Sequence, residues 1–125
     1  MGSQLRAFVR IAAYLAVTLA ILPVQAFAVR FNRKLSISLP LFYHRLCVRI
    51  LGFQIRTHGE MAATAPVLFA CNHTSYSDIS ILGALLPASF VAKAEVASWP
   101  FFGGLAKLQR TVFVDRRPAK ATVQR

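Results

Sequence analysis

Acidic side chains are scarce in this sequence. Four Asp and Glu stand against fifteen Lys and Arg, a formal net charge of +11, and none of the four precedes Glu60. Arg6, Arg10, Arg30, Arg33, Lys34, Arg45, Arg49 and Arg56 all do. Such a basic first half suits an anionic partner. That partner is either nucleic acid or lipid headgroups, where each nearby cation contributes about 1 kcal/mol. No nucleic-acid motif is present, and the cations border a long apolar segment, so membrane lipid is the expected partner and nucleic acid is not. Cysteine is sparse too. Cys47 and Cys71 lack metal-ligand spacing and lie in apolar surroundings, the pattern of buried free thiols. A disulfide would need an exported chain. No internal repeat or low-complexity tract occurs, which excludes a solenoid. Neither a metal nor a bound cofactor is expected.

Apolar residues, by contrast, make up 56% of the chain, and its mean hydropathy is +0.52, above that of ordinary soluble domains. Residues 11–29, bounded by Arg10 and Arg30, carry much of the excess. As a helix they would span roughly 28 Å, close to the hydrocarbon core of a bilayer. Thr18 and Gln25 interrupt the run mildly, and Pro23 would kink a helix without breaking it. The reading is a transmembrane anchor at residues 1–34 with basic flanks. A secretory signal peptide is the alternative, with Arg6 and Arg10 as its charged start and Ala26-Phe27-Ala28 as a cleavage-like site. Arg30, Arg33 and Lys34 after the segment weakly favour a cytoplasmic C-terminal side.

Residues 41–51 read as a helix with Pro40 near its start. Arg45 and Arg49 share one face, and Phe42, Leu46 and Ile50 another. Such a helix rests in the membrane interface or packs on the core with a solvated basic face, and both remain open. Residues 53–57, 66–71, 89–92 and 111–114 read as strands, and 79–86 and 100–108 as helices. Their alternation indicates an α/β class. A sheet stopping at the fourth strand looks unfinished, and about 90 residues beyond the anchor make a small core for an α/β enzyme domain. Residues 35–125 are therefore expected to be the N-terminal part of an incomplete domain.

Chemistry concentrates in Asn72-His73-Thr74-Ser75-Tyr76-Ser77-Asp78, between the apolar run 66–71 and the helical run 79–86. Within one regular helix, residues five apart sit about 140° apart around the axis. His73 and Asp78 can meet if His73 lies on the loop and Asp78 in the first helical turn. They would then form a base and its orienting carboxylate. A plainer reading treats Ser75-x-x-Asp78 as a capping box, with Asp78 at the positive end of the helix and His73 an ordinary loop residue.

Three stretches together resemble one family. Asn72-His73-x-Ser75-x-x-Asp78 resembles the first signature, N-H-x-S-x-x-D, of the glycerolipid acyltransferases of the PlsC type. Lys93-Ala94-Glu95-Val96 followed by Trp99-Pro100-Phe101-Phe102-Gly103 is similar to that family's K-x-E-L…P-x-x-G segment. Residues 112–116, Val-Phe-Val-Asp-Arg, look like its second signature, and an N-terminal membrane segment also fits. The family's third signature, E-G-T-R, and its proline-containing fourth do not occur.

The resemblance implies an α/β acyltransferase domain after a transmembrane helix. It implies transfer of a fatty acyl group from acyl-CoA or acyl-carrier protein, as co-substrate, to the hydroxyl of 1-acylglycerol-3-phosphate, giving phosphatidate for phospholipid synthesis. A lyso-ornithine lipid is the alternative acceptor, and a non-catalytic membrane-bound fragment the alternative of another class. His73 would be the general base and Asp78 its orienting partner. Lys93 and Arg116 would bind the acceptor's phosphate, or else Lys93 pairs with Glu95 and Arg116 is a solvated loop charge. Asn72 and Ser75 would support the loop. The implied location is a bacterial-type inner membrane with the catalytic side cytoplasmic.

Overall fold

Apart from Gly2, residues 2–31 contain no glycine and no acidic side chain, and they run as one helix, α1 (Gly2–Phe31), with Pro23 inside it. The computed structural model describes residues 2–115 of the chain. Asn32 takes an extended conformation, and its side chain accepts the Leu35 N–H at 3.0 Å, which starts α2 (Arg33–Leu51). This single residue turns the chain back on itself. α2 then runs antiparallel to α1: Gln25 meets Ser36, the Thr18 and Tyr43 hydroxyls bond at 2.8 Å, and Arg10 donates to the Leu51 carbonyl at 3.3 Å. Gly52 ends α2 in the left-handed conformation (φ 80°), with its N–H on the Val48 carbonyl at 3.0 Å.

The second helix thus begins at Arg33, not near residue 41, and Pro40 lies in its interior. Asparagine at the cap outweighs the start signal of the proline. Pro40 has no N–H to give the Ser36 carbonyl, and the Gln25 amide fills that vacancy by donating to Ser36 at 3.0 Å. The packed stripe of α2 also differs from expectation. Ser36, Tyr43, His44, Cys47 and Val48 are buried, while Phe42 is exposed. α2 packs on α1 and on a third helix, α3 (Ser77–Leu85), so it is a core helix with a basic outer face. Arg45 is more than a solvated charge, since its Nε caps α3 by donating to the Ala84 carbonyl at 3.0 Å. Cys47 is a buried free thiol as expected, whereas Cys71 is free but exposed.

β1 (Val91–Lys93), a 3-10 helix (Ala94–Ser98), α4 (Phe102–Leu108) and β2 (Val112–Val114) complete the described chain. The strands pair in parallel, Val91 with Val112 and Lys93 with Val114, and the helical segment between them makes the crossover. Residues 53–57 and 66–71 form no strand. A ladder needs a neighbouring strand, and none lies beside these runs among the described residues. Val67, Leu68 and Phe69 are exposed accordingly. The structure is helix-rich with a small parallel sheet, so α/β character is confined to β1 and β2.

α1 is long and apolar enough to cross a membrane. Thr18, Gln25 and Ala28 face protein, while Leu5, Phe8, Leu15 and Leu19 recur on a bare face. A surface of that kind suits lipid rather than water.

Candidate active site

The loop 72–76 enters α3, and Asp78 falls in that helix's first turn. There its carboxylate complements the helix's positive end. Its Oδ2 accepts three hydrogen bonds: from the Thr74 N–H at 2.7 Å, the Ser75 N–H at 3.0 Å and His73 Nδ1 at 3.1 Å. The expected meeting of His73 and Asp78 is therefore present, and so is the helix-capping contact of the plainer reading. One oxygen makes both. Ser75 Oγ accepts the Ser77 N–H at 3.2 Å and lies 2.9 Å from Ser77 Oγ, which ties the loop to the helix start. Asn72 is exposed and makes no side-chain hydrogen bond among the described residues.

The Ser75 amide, the Thr74 amide and then His73 hold the Asp78 carboxyl below its ordinary value of 3.8. An ionised carboxylate only accepts hydrogen bonds. His73 must therefore carry its proton on Nδ1, which leaves the Nε2 lone pair free. The His73 side chain is 63% exposed, so Nε2 is open to a substrate. This is the geometry of an oriented general base. The pH dependence has a definite sign. Because the folded value lies below the unfolded one, Asp78 adds stability that is complete above the unfolded value and lost as pH falls through the lowered folded value. Carboxyl-carbon NMR of labelled aspartate is expected to show Asp78 titrating below 3.8; a midpoint at or above it would contradict the three-bond arrangement.

Lys93 ends β1 and is exposed. It makes no ion pair with Glu95 among the described residues, and no hydrogen bond or ion pair joins it to His73 or Asp78. Arg116 lies outside the described residues. The structure thus brings together His73, Asp78 and the Ser75 loop, and does not bring Lys93 into contact with them. A feature without a sequence signal lies behind α3. A cavity of about 170 Å³ is lined by His44, Gly83, Leu86, Phe90, Gln109 and Arg110 among others. His44 is buried with neither ring nitrogen hydrogen-bonded, and a Cβ on Gly83 would collide with its ring.

Comparison with known proteins gives the family. The acyltransferase family model matches residues 54–125, a stretch that contains the loop, both strands and α4. The chain belongs to the acyltransferase family. It is 43% identical over 98% of its length to the lyso-ornithine lipid O-acyltransferase of Brucella abortus (strain 2308), covering 46% of that protein. It is 41% identical over 85% of its length to the lyso-ornithine lipid O-acyltransferase of Rhizobium meliloti (strain 1021), covering 36% of it. Similarity to the 1-acyl-sn-glycerol-3-phosphate acyltransferase of Neisseria gonorrhoeae is 46% identity over 40% of the chain. The chain thus spans less than half the length of these relatives. No solved structure matches it. In this member of the family, the loop before α3 is the one place among the described residues where a histidine and a carboxylate are hydrogen-bonded.

Proposed function

We propose that the protein transfers a fatty acyl group from an acyl thioester to the free hydroxyl of a lysolipid, with His73 as general base. The observation that carries this reading is the 3.1 Å contact of His73 Nδ1 with Asp78, which leaves Nε2 exposed and basic. Nε2 takes the hydroxyl proton as the lipid oxygen attacks the thioester carbonyl. Asp78 stabilises the imidazolium so formed. The tetrahedral intermediate expels the thiolate, which recovers the proton from Nε2, and the ester is released. No protein nucleophile is needed, so Ser75 and Ser77 serve the loop. The donor is acyl-CoA or acyl-carrier protein. Residues 1–34, with α1 as their apolar helix, hold the protein to the membrane, ahead of an acyltransferase domain from residue 35. A cytoplasmic catalytic side at a bacterial-type inner membrane agrees with the basic residues that follow the apolar run.

A lyso-ornithine lipid is the acceptor best supported, because relatives so named match 98% and 85% of the chain. 1-Acylglycerol-3-phosphate is the second reading, supported by the Neisseria match across 40% of the chain. Lys93 and Arg116 are proposed to pair with the acceptor's anionic group, carboxylate or phosphate. Membranes carrying the protein, supplied with labelled acyl donor, are expected to acylate lyso-ornithine lipid faster than lysophosphatidate. The reverse preference selects the second reading, and no transfer to either refutes the function. Lys93→Ala is expected to raise KM for the acceptor more than for the donor. Equal defects would mark Lys93 as structural.

A further inference from the structure

Trp99, Pro100, Phe101 and Phe102 join the 3-10 helix to α4 and include the chain's sole tryptophan. Their three rings are 47%, 51% and 58% exposed. A scattered exposed ring needs no explanation, but three adjacent ones form a patch. The exposure is not slack. The Phe102 N–H donates to the Pro100 carbonyl at 2.7 Å and the Gly103 N–H to the Trp99 carbonyl at 2.9 Å. The first bond closes a γ-turn at Phe101, whose φ of 64° and ψ of −57° belong to the rare, strained hand of that turn. Strain of this sort persists only where the surroundings enforce it. Gly103 is part of that enforcement, since a Cβ there would stand 2.5 Å from the Ala97 carbonyl oxygen. The turn holds the Phe101 and Phe102 rings edge to face, 5.7 Å apart, with both exposed.

Position and charge identify the occupant. α4 leans on α1: Leu105 and Leu108 line an apolar pocket with Ile21 and Leu22, and the Leu108 carbonyl accepts the Gln25 amide at 2.9 Å. The aromatic turn is thereby fixed, one short helix away, to the element with the long bare apolar face. Lys93, Lys107 and Arg110 are exposed on the neighbouring elements, as are the two acids Glu95 and Asp115, so cations outnumber acids there. Aromatic rings among Lys and Arg match the headgroup layer of a bilayer, where ring bodies sit in the acyl boundary and cations meet anionic phosphates.

We propose that residues 99–102 are a second lipid contact, a rigid aromatic tip seated in the interface of an anionic bilayer beside α1. The contact is independent of the acyl-transfer chemistry and rests on the lipid contact of α1. Its role is to set the tilt of the domain over the membrane by adding a second point of attachment.

Trp99 reports on its own depth. The full chain is reconstituted in phosphatidylethanolamine–phosphatidylglycerol vesicles, with and without brominated acyl chains. Bromolipid is expected to quench about half or more of the emission, and iodide to quench roughly threefold less than it quenches free N-acetyltryptophanamide. Iodide quenching equal to that of the free fluorophore would put the tip in water. Shielding from both quenchers would put it under protein, either a second copy or a partner. Either result overturns the proposal. Phe101→Gly removes a ring yet accepts the positive φ, and Phe102→Ser removes the other. Together they are expected to cut bromolipid quenching by about half while α1 keeps the protein in the membrane. Undiminished quenching in that double variant would also overturn it.

Discussion

Acyl transfer is expected to fall by about 10²–10⁴ in His73→Ala, with protein level and membrane retention unchanged. The side chain is 63% exposed and supports no core, and Asp78 keeps its Thr74 and Ser75 amide bonds without it. Loss of the imidazole therefore removes the proposed base while leaving the start of α3 in place. Asp78→Asn tests the partner. Asn still accepts the two amides through its oxygen, but it lacks the negative charge that stabilises imidazolium, so turnover should drop while folding is largely kept. Activity, far-ultraviolet circular dichroism and membrane content measured together separate the two effects. Wild-type turnover in His73→Ala at matched protein level would place the base elsewhere.

The largest stability effect is expected at Gln25, a residue remote from the chemistry. Its Nε2 donates to the Ser36 carbonyl at 3.0 Å and the Leu108 carbonyl at 2.9 Å, which joins α1, α2 and α4 at one atom. Gln25→Leu deprives both carbonyls of a donor, and a buried group left so costs about 1–3 kcal/mol. Gln25→Glu should be worse. A carboxylate facing two carbonyl oxygens must take up a proton, and then it donates only once. Thermal unfolding in mild detergent should rank the wild type above Gln25→Leu and Gln25→Leu above Gln25→Glu. Thr18→Val, which removes one hydroxyl bond to Tyr43, should be milder than either Gln25 variant. Equal unfolding temperatures for wild type and Gln25→Leu would mean that the bridge does not hold the three helices together.

The bridge also marks where sequence reading runs out. In the sequence Gln25 is a mild flaw in an apolar run. Its role depends on a proline at position 40 that withholds one donor, and on the end of α4 far along the chain. Neither relation is local. The same holds for residues 53–57 and 66–71, whose patterns suit a strand but find no neighbour among the described residues. Short-range features were legible. α3 lies within a residue or two of the helical run 79–86, β1 and β2 overlap the runs 89–92 and 111–114, and His73 meets Asp78 five residues on. The family was legible because its signatures are short and ordered along the chain. The Thr74 amide was not, because a main-chain donor leaves no trace in side-chain identity. Lys93 and Arg116 rest on resemblance, since no contact among the described residues ties Lys93 to the loop.

Two of the three bonds that fix Asp78 come from the backbone, at Thr74 and Ser75. Every amino acid except proline offers the same N–H. The aim of the imidazole is thus insulated from substitution at position 74: a side chain of another size, polarity or charge there keeps the amide that holds Asp78. Only proline would silence the amide there. The alignment of this site rests largely on main-chain donors, which are common to nearly every residue type.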